Sequence, residues 1–143
     1  MPKWTSRQLE AITARNRDIL VSAAAGSGKT AVLIERIVSL LAEGLQLDRL
    51  LVVTFTHAAA DEMKERLTDL LGQAAEKNPA LRAQYAMLGR ADISTLHSFC
   101  ARLVKQHFQA AGTDPLSKLA DDNQAQELLN QALDEVIDQA HET

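Results

Sequence analysis

Apolar residues recur in two rhythms along this chain. Spacings of three and four mark helices, and short unbroken apolar runs bounded by loops mark buried strands. The first signal is Thr5-Ser6-Arg7-Gln8, which has the form of a capping box. Thr5 is the N-cap and Gln8 reaches back to it, so a helix is predicted to about Asn16, burying Leu9 and Ile12. The run from Asp18 to Ala23, DILVSA, reads as a buried strand. Val32, Leu33, Ile37, Leu40 and Leu41 predict a helix from near Gly28 to about Glu43, with Gly44 as its C′ residue. Arg49 to Phe55 reads as a second buried strand. Thr56 can cap the helix after it, whose apolar stripe is Met63, Leu67, Leu70 and Leu71 and which Gly72 is expected to end. Asn78-Pro79 opens another helix to about Leu88. Ala91 to Thr95 is a third, very short strand, and a helix from about Leu96 to Ala111 follows, stopped by Gly112. Thr113 to Asn123 reads as a connector. The last helix, from about Gln124 to Ala140, carries Leu128, Leu129, Leu133, Val136 and Ile137 on one face.

The predicted order is α-β-α-β-α-α-β-α-α. Strands alternating with helices imply an α/β domain with a parallel sheet flanked by helices. The chain has 143 residues, 46% of them hydrophobic and only 3% aromatic, so its core must be aliphatic. The net charge of −4 conceals an asymmetry. Residues 1–110 hold 14 Lys/Arg and 11 Asp/Glu, whereas residues 111–143 hold one Lys and 8 Asp/Glu. Bulk charge therefore does not argue for a polyanionic partner, and any such argument must rest on local residues. Cys100 is the only cysteine, which excludes an intrachain disulfide and suits a reducing, cytoplasmic setting. It falls on an apolar helix face and is expected in the core. The opening MPKWTSRQ has no apolar signal region, and the apolar runs are too short to span a bilayer. No His/Cys/Asp/Glu group has metal-ligand spacing.

The stretch Ala23-Ala24-Ala25-Gly26-Ser27-Gly28-Lys29-Thr30 carries the chemistry. It matches the phosphate-loop pattern except that Ala23 stands where glycine is usual. Gly26 and Gly28 permit backbone conformations that let peptide N–H groups wrap a phosphate, and the following helix adds the positive end of its dipole. Lys29 supplies a mobile positive charge for the β- and γ-phosphates, and Thr30 a hydroxyl for Mg²⁺. A predicted strand before the loop and an amphipathic helix after it give the pattern its expected context.

Four stretches narrow the reading: WTSRQLEAI, AAAGSGKT, VVTFTHAAADEMKERL and DISTLHSFCARLV. Together they resemble the adenine-reading glutamine motif and motifs I, Ia and Ib of superfamily 1 DNA helicases of the UvrD/Rep type. Within that group they are most similar to the amino-terminal end of the AddA family of ATP-dependent helicase/nucleases, with RecB-type proteins next. The resemblance covers roughly the first 110 residues well. It implies a partial RecA-like domain 1A, three-layered αβα, over residues 1–112, and the helical start of a 1B insertion over 113–143. It also implies ATP and Mg²⁺ as ligands, with Gln8 reading the adenine edge. Phe55 would meet a base of single-stranded DNA and Thr56 a phosphate, with Thr95, His97 and Ser98 on the same track. A second, AddB-like subunit, duplex DNA ends, and double-strand break repair by homologous recombination are further implications.

Each assignment has a plainer rival. Gln8 can serve only the capping box, Phe55 can pack in the core, Thr56 can be only an N-cap, and His97 only a helix-start residue. A UvrD/Rep-type repair helicase without a nuclease and a non-catalytic nucleotide-binding fragment are the alternatives to the helicase/nuclease reading. A small phosphotransferase using the same loop would leave TFTHAAADEM unexplained. Hydrolysis also needs acidic residues after an apolar strand to hold Mg²⁺ and position water. Asp121-Asp122 lacks such a strand and precedes a helix, so it is not read as that motif. The chain is expected to be the amino-terminal piece of a longer enzyme, inactive alone, with unpaired strand edges that favour marginal stability or self-association.

Overall fold

The computed structural model describes residues 4–114, 116–118 and 120–141. The chain divides into two compact units, Met1–Phe99 and Cys100–Thr143. The first unit begins with α1 (Ser6–Thr13), where the predicted capping box is complete: Thr5 N–H donates to Gln8 Oε1 at 2.9 Å and Gln8 N–H to Thr5 Oγ1 at 3.3 Å. The helix is shorter than the sequence suggested. It ends at Ala14, and Asn16 takes a left-handed conformation. Ile12 is buried, but Leu9, expected in the core, is 50% exposed.

No strand forms between Asp18 and Ala23. A strand exists only through its ladder, and no described element pairs with this run. Leu20 is 96% exposed. Ile19 and Val21 face a hollow of about 260 Å³ that Val32 and Leu33 also line, which explains why Leu33 is exposed rather than buried as expected.

Helix α2 (Lys29–Ala42) buries Val32, Ile34, Ile37 and Leu41. Ile34 was missing from the predicted stripe, because its one-position offset from Leu33 hid which face turns inward. A 3₁₀ turn (Leu47–Arg49) leads into β1 (Leu51–Thr54). Buried Gln84 fixes this turn: its Oε1 accepts from Leu47 N–H at 2.9 Å, and its Nε2 donates to Gln46 Oε1 at 2.9 Å. Helix α3 (His57–Lys77) packs against α2, against α4 (Pro79–Ala86) and against both strands. Leu67 and Leu71 are fully buried at the centre of this arrangement.

Gly72 does not end α3, which runs on to Lys77 and stops before Asn78-Pro79. The glycine marks a close approach instead: a Cβ there would lie 3.3 Å from the Tyr85 ring of α4. Strand β2 (Asp92–Thr95) pairs with β1 in parallel, in the register Leu51↔Asp92 to Thr54↔Thr95. Its connection from β1 runs through α3 and α4, the helical crossover that a parallel pair requires. Among the described residues the sheet is thus small, two parallel strands in a helix-rich chain.

Helix α5 (Leu96–Gln106) follows β2, and the predicted single helix breaks at His107 before α6 (Phe108–Ala111). Gly112 closes α6 in the left-handed region. Cys100 is exposed, against the expectation of a core position. In the second unit, α7 (Asp122–His141) leaves its apolar stripe, from Leu128 to Ile137, exposed to solvent. Asp121 caps this helix, accepting from Gln124 N–H at 2.9 Å, so the acidic pair opens a helix.

One helix carries two substitutions of opposite sign. Leu67→Ala, at a fully buried site, is expected to destabilise the chain by about 2–5 kcal/mol. Gly72→Ala is expected to stabilise it by up to about 1 kcal/mol through helix propensity. The Tyr85 ring is 43% exposed and can yield. Urea denaturation of the two variants measures both.

Candidate nucleotide site

The loop between the unpaired run and α2 is shaped by two glycines. Gly26 has φ +76° and Gly28, the N-cap of α2, φ +83°. Both lie in the left-handed region, where a side chain is strained. A Cβ at Gly26 would meet nothing within 4 Å, so the loop there borders open space. A Cβ at Gly28 would meet Gln8 Nε2 at 3.6 Å. Ser27 N–H donates to Ala24 O at 3.3 Å and closes the turn. Ala23, Ala24, Ala25, Gly26 and Ser27 are all exposed.

Lys29 folds back along the loop, its ammonium donating to the carbonyls of Ala23 and Ala24, both at 2.8 Å. These bonds use two of its three donors. Thr30 is half-buried in the first turn of α2. Hydroxyl and phosphate oxygens are the hard donors that Mg²⁺ prefers. No group of three or more His, Cys, Asp or Glu among the described residues could itself hold a metal ion.

Gln8 performs two tasks at once. Its Oε1 completes the capping box of α1, and its Nε2 donates to Ser27 O at 3.3 Å, across 19 positions of sequence. One side chain thus completes the cap of α1 and touches the loop.

Helix α1 is held against α2 by a polar network at its other end. Arg36 donates to Ala11 O at 2.8 Å and Ala14 O at 2.6 Å. Arg15 donates to Ile12 O at 2.7 Å, to Ser39 Oγ at 2.7 Å and, in bidentate fashion, to Glu43 at 2.7 and 2.8 Å. The two guanidiniums satisfy carbonyls that a helix end leaves without partners and complement its dipole. Their chemistry reflects this setting. Hydrogen bonding to Arg15 holds the Glu43 carboxyl below its ordinary range, and hydrogen bonding to Glu43 holds the Arg15 guanidinium above its own. Burial and then the neighbouring Arg15 charge push the Arg36 guanidinium down.

The residues expected on a DNA track lie at or just after the carboxyl ends of the two strands. The register Thr54↔Thr95 places the carboxyl ends of β1 and β2 side by side, and ligands of parallel sheets bind at such ends. Phe55 follows β1 and is 98% exposed, so it does not pack in the core. Thr56 caps α3, its Oγ1 accepting from Ala59 N–H at 3.2 Å. Thr95 is only 3% exposed. Its hydroxyl donates to Ser98 Oγ at 2.8 Å and accepts from Ser98 N–H at 3.1 Å, so it holds the first turn of α5 together. Ser98 is half-buried and His97 exposed on that turn. The sequence reading missed Arg15, Arg36 and Glu43. Charged residues at helical spacing look like a solvated face, and nothing local to Arg36 or Glu43 names the distant partner each one meets.

Residues 4–143 match the family described as UvrD/REP helicase N-terminal domain. The chain is 50% identical to an ATP-dependent helicase/nuclease subunit of Heliobacterium modesticaldum over 144 aligned residues, covering 99% of the chain and 10% of that relative. It is 49% identical to the protein of the same name from Pelotomaculum thermopropionicum, covering 96% and 11%. The Clostridioides difficile protein, also so named, is 44% identical, covering 99% and 12%. The chain thus spans about a tenth of the length of these curated relatives.

The Arg15–Glu43 contact gives stability a definite pH dependence. The folded-state pKa of Glu43 is depressed, so the contact stabilises the chain above the unfolded carboxylate value of about 4.3. That contribution is lost as pH falls through the lower folded value. Melting curves should show Glu43→Gln less stable than the parent at neutral pH, the two converging as pH falls through the depressed folded-state value. A constant difference across that range would contradict the assignment.

Proposed function

Because the chain belongs to the UvrD/REP helicase N-terminal domain family, we propose that it is the ATP- and single-stranded-DNA-binding part of a helicase/nuclease. The observation that supports this most is the amide of Gln8 on the carbonyl of Ser27, which joins the capping box of α1 to the phosphate loop. That contact is additional to the capping bonds and brings the Gln8 amide to the edge of the loop.

In this reading the triphosphate lies along Ala23 to Gly28, with loop N–H groups and the positive end of the α2 dipole directed at it. The Lys29 ammonium moves from the Ala23 and Ala24 carbonyls onto the β- and γ-phosphates. The Thr30 hydroxyl would help hold Mg²⁺, which would supply positive charge to the phosphate oxygens. The Gln8 amide reads the adenine edge. Gly26, open on its side-chain face, leaves room for the phosphates to approach the backbone.

For DNA, Phe55 offers an exposed ring to the face of a base, and base–aromatic stacking is worth about 1–3 kcal/mol. Thr56 and Ser98 lie at the starts of helices, where backbone N–H groups meet phosphates without a large positive net charge. His97 contributes from the same turn, and Thr95 positions that turn through its bonds to Ser98. Residues 1–112 then form a partial RecA-like domain 1A, layered αβα, and residues 113–143 begin a 1B insertion. The parent enzyme unwinds duplex ends in the cytoplasm for recombinational repair, beside an AddB-like second subunit.

The chain is proposed to bind nucleotide without turning it over. Its two Asp-Glu pairs, Asp61-Glu62 and Asp134-Glu135, lie inside α3 and α7, away from any strand end. Calorimetric titration of Mg²⁺-ATP is expected to give saturable binding to the chain, weakened at least about tenfold in Lys29→Ala by loss of charge-assisted bonds. Equal affinity in the two would contradict the phosphate-loop assignment. Fluorescence anisotropy with labelled single-stranded DNA should show Phe55→Ala binding at least about fivefold more weakly.

A further inference from the structure

We propose that Arg36 and Arg15 are positioning residues for base recognition, acting by clamping the carboxyl end of α1 to α2 so that Gln8 stands over the phosphate loop. The inference rests on the reading that the loop holds a nucleotide and that Gln8 faces its base.

Helix α1 has eight residues, too few to be stable by itself in water. Its apolar anchor is slight, since Ile12 is buried but Leu9 is half exposed. Polar contacts must therefore fix where it lies. At its amino end the capping box ties Gln8 to Thr5. At its carboxyl end the Arg36 guanidinium bridges Ala11 O and Ala14 O, while Arg15 bridges Ile12 O to Ser39 and Glu43.

Arg36 also stands seven residues after Lys29 on α2. Two helical turns place both on the same face, about 10 Å apart. The connections thus form a closed ring: loop, α2, Arg36, α1, Gln8 and back to the loop at Ser27. A shift of α1 along α2 would carry Gln8 away from the loop without disturbing the loop or Lys29. Glu43 balances the ring, offsetting the repulsion between two neighbouring guanidiniums that would otherwise oppose the clamp.

The experiment compares Mg²⁺-ATP with Mg²⁺-inosine triphosphate by calorimetric titration. The two share the triphosphate and differ at the purine edge that a glutamine amide reads. The parent chain is expected to prefer ATP by about tenfold, the scale of one or two hydrogen bonds. Arg36→Ala should lower that preference to within about twofold by weakening ATP binding, with inosine triphosphate affinity unchanged. Gln8→Ala should do the same, and the Gln8→Ala/Arg36→Ala pair should lose nothing more, as groups acting in series are not additive. Arg15→Ala, which leaves Arg36 in place, repeats the test if Arg36→Ala fails to melt cooperatively.

Lys29→Ala should weaken both nucleotides together, which keeps the two claims separate. Binding of neither nucleotide by the parent chain would overturn the nucleotide reading, and this inference with it. A parent chain that binds both equally would overturn base reading by Gln8 and leave the loop assignment standing. Equal weakening of both nucleotides in the clamp variants, or a preference that survives in them, would reduce the arginines to general stability and overturn the proposal.

Discussion

The burial of one face of α2 is the constraint on which the rest of the first unit depends. Ile34, Ile37 and Leu41 are almost inaccessible to solvent and belong to the same core as Leu67 and Leu71 of α3. Once that face is fixed, every other feature of the helix has a determined direction. Its first turn presents Lys29 and Thr30 to the loop, its middle sends Arg36 to α1, and its last turns offer Ser39 and Glu43 to Arg15. Burying a large aliphatic side chain contributes about 1.5–3 kcal/mol. The exposed ion pairs on the surface, such as Lys64–Asp61, contribute far less. The apolar stripe therefore sets the geometry and the polar network tunes it.

The loop is more exposed than its surroundings for a physical reason. The run before it, Ile19 to Val21, has the composition of a buried strand but no ladder to join among the described residues. The glycines need no such support, because their positive φ values follow from the local turn, and α2 anchors the loop from one side only. The same asymmetry separates the two halves of the proposed mechanism. Phosphate contacts come from the loop and the start of α2, whereas base contacts depend on α1 and on the bonds that hold it.

Much of this was legible in the sequence wherever the determinant was local. The capping box at Thr5 and Gln8, the N-cap at Thr56 and the Asn78-Pro79 helix start each involve groups within a few residues of one another. The phosphate loop was legible because its glycines, lysine and threonine are contiguous. What the sequence hid depended on distant partners. The run at Asp18 to Ala23 looked like a strand because hydrophobicity cannot say whether a ladder exists. Gly72 looked like a helix stop because nothing nearby announces the Tyr85 ring that lies against it. Arg36 gave no signal in the sequence because its targets, Ala11 O and Ala14 O, are more than twenty residues away. The resemblance to known helicases singled out Gln8, and the geometry adds the contact with Ser27 and the network behind it.

The central claim is that one loop and one glutamine receive one nucleotide. The most direct measurement is the change in amide resonances of the isotopically labelled chain as Mg²⁺-ATP is added. The account predicts the largest shifts at the backbone N–H groups of Gly26 to Thr30, together with a shift of the Gln8 side-chain amide. Shifts confined to other elements, or at the loop without any response from Gln8 in a chain that binds ATP, would contradict it.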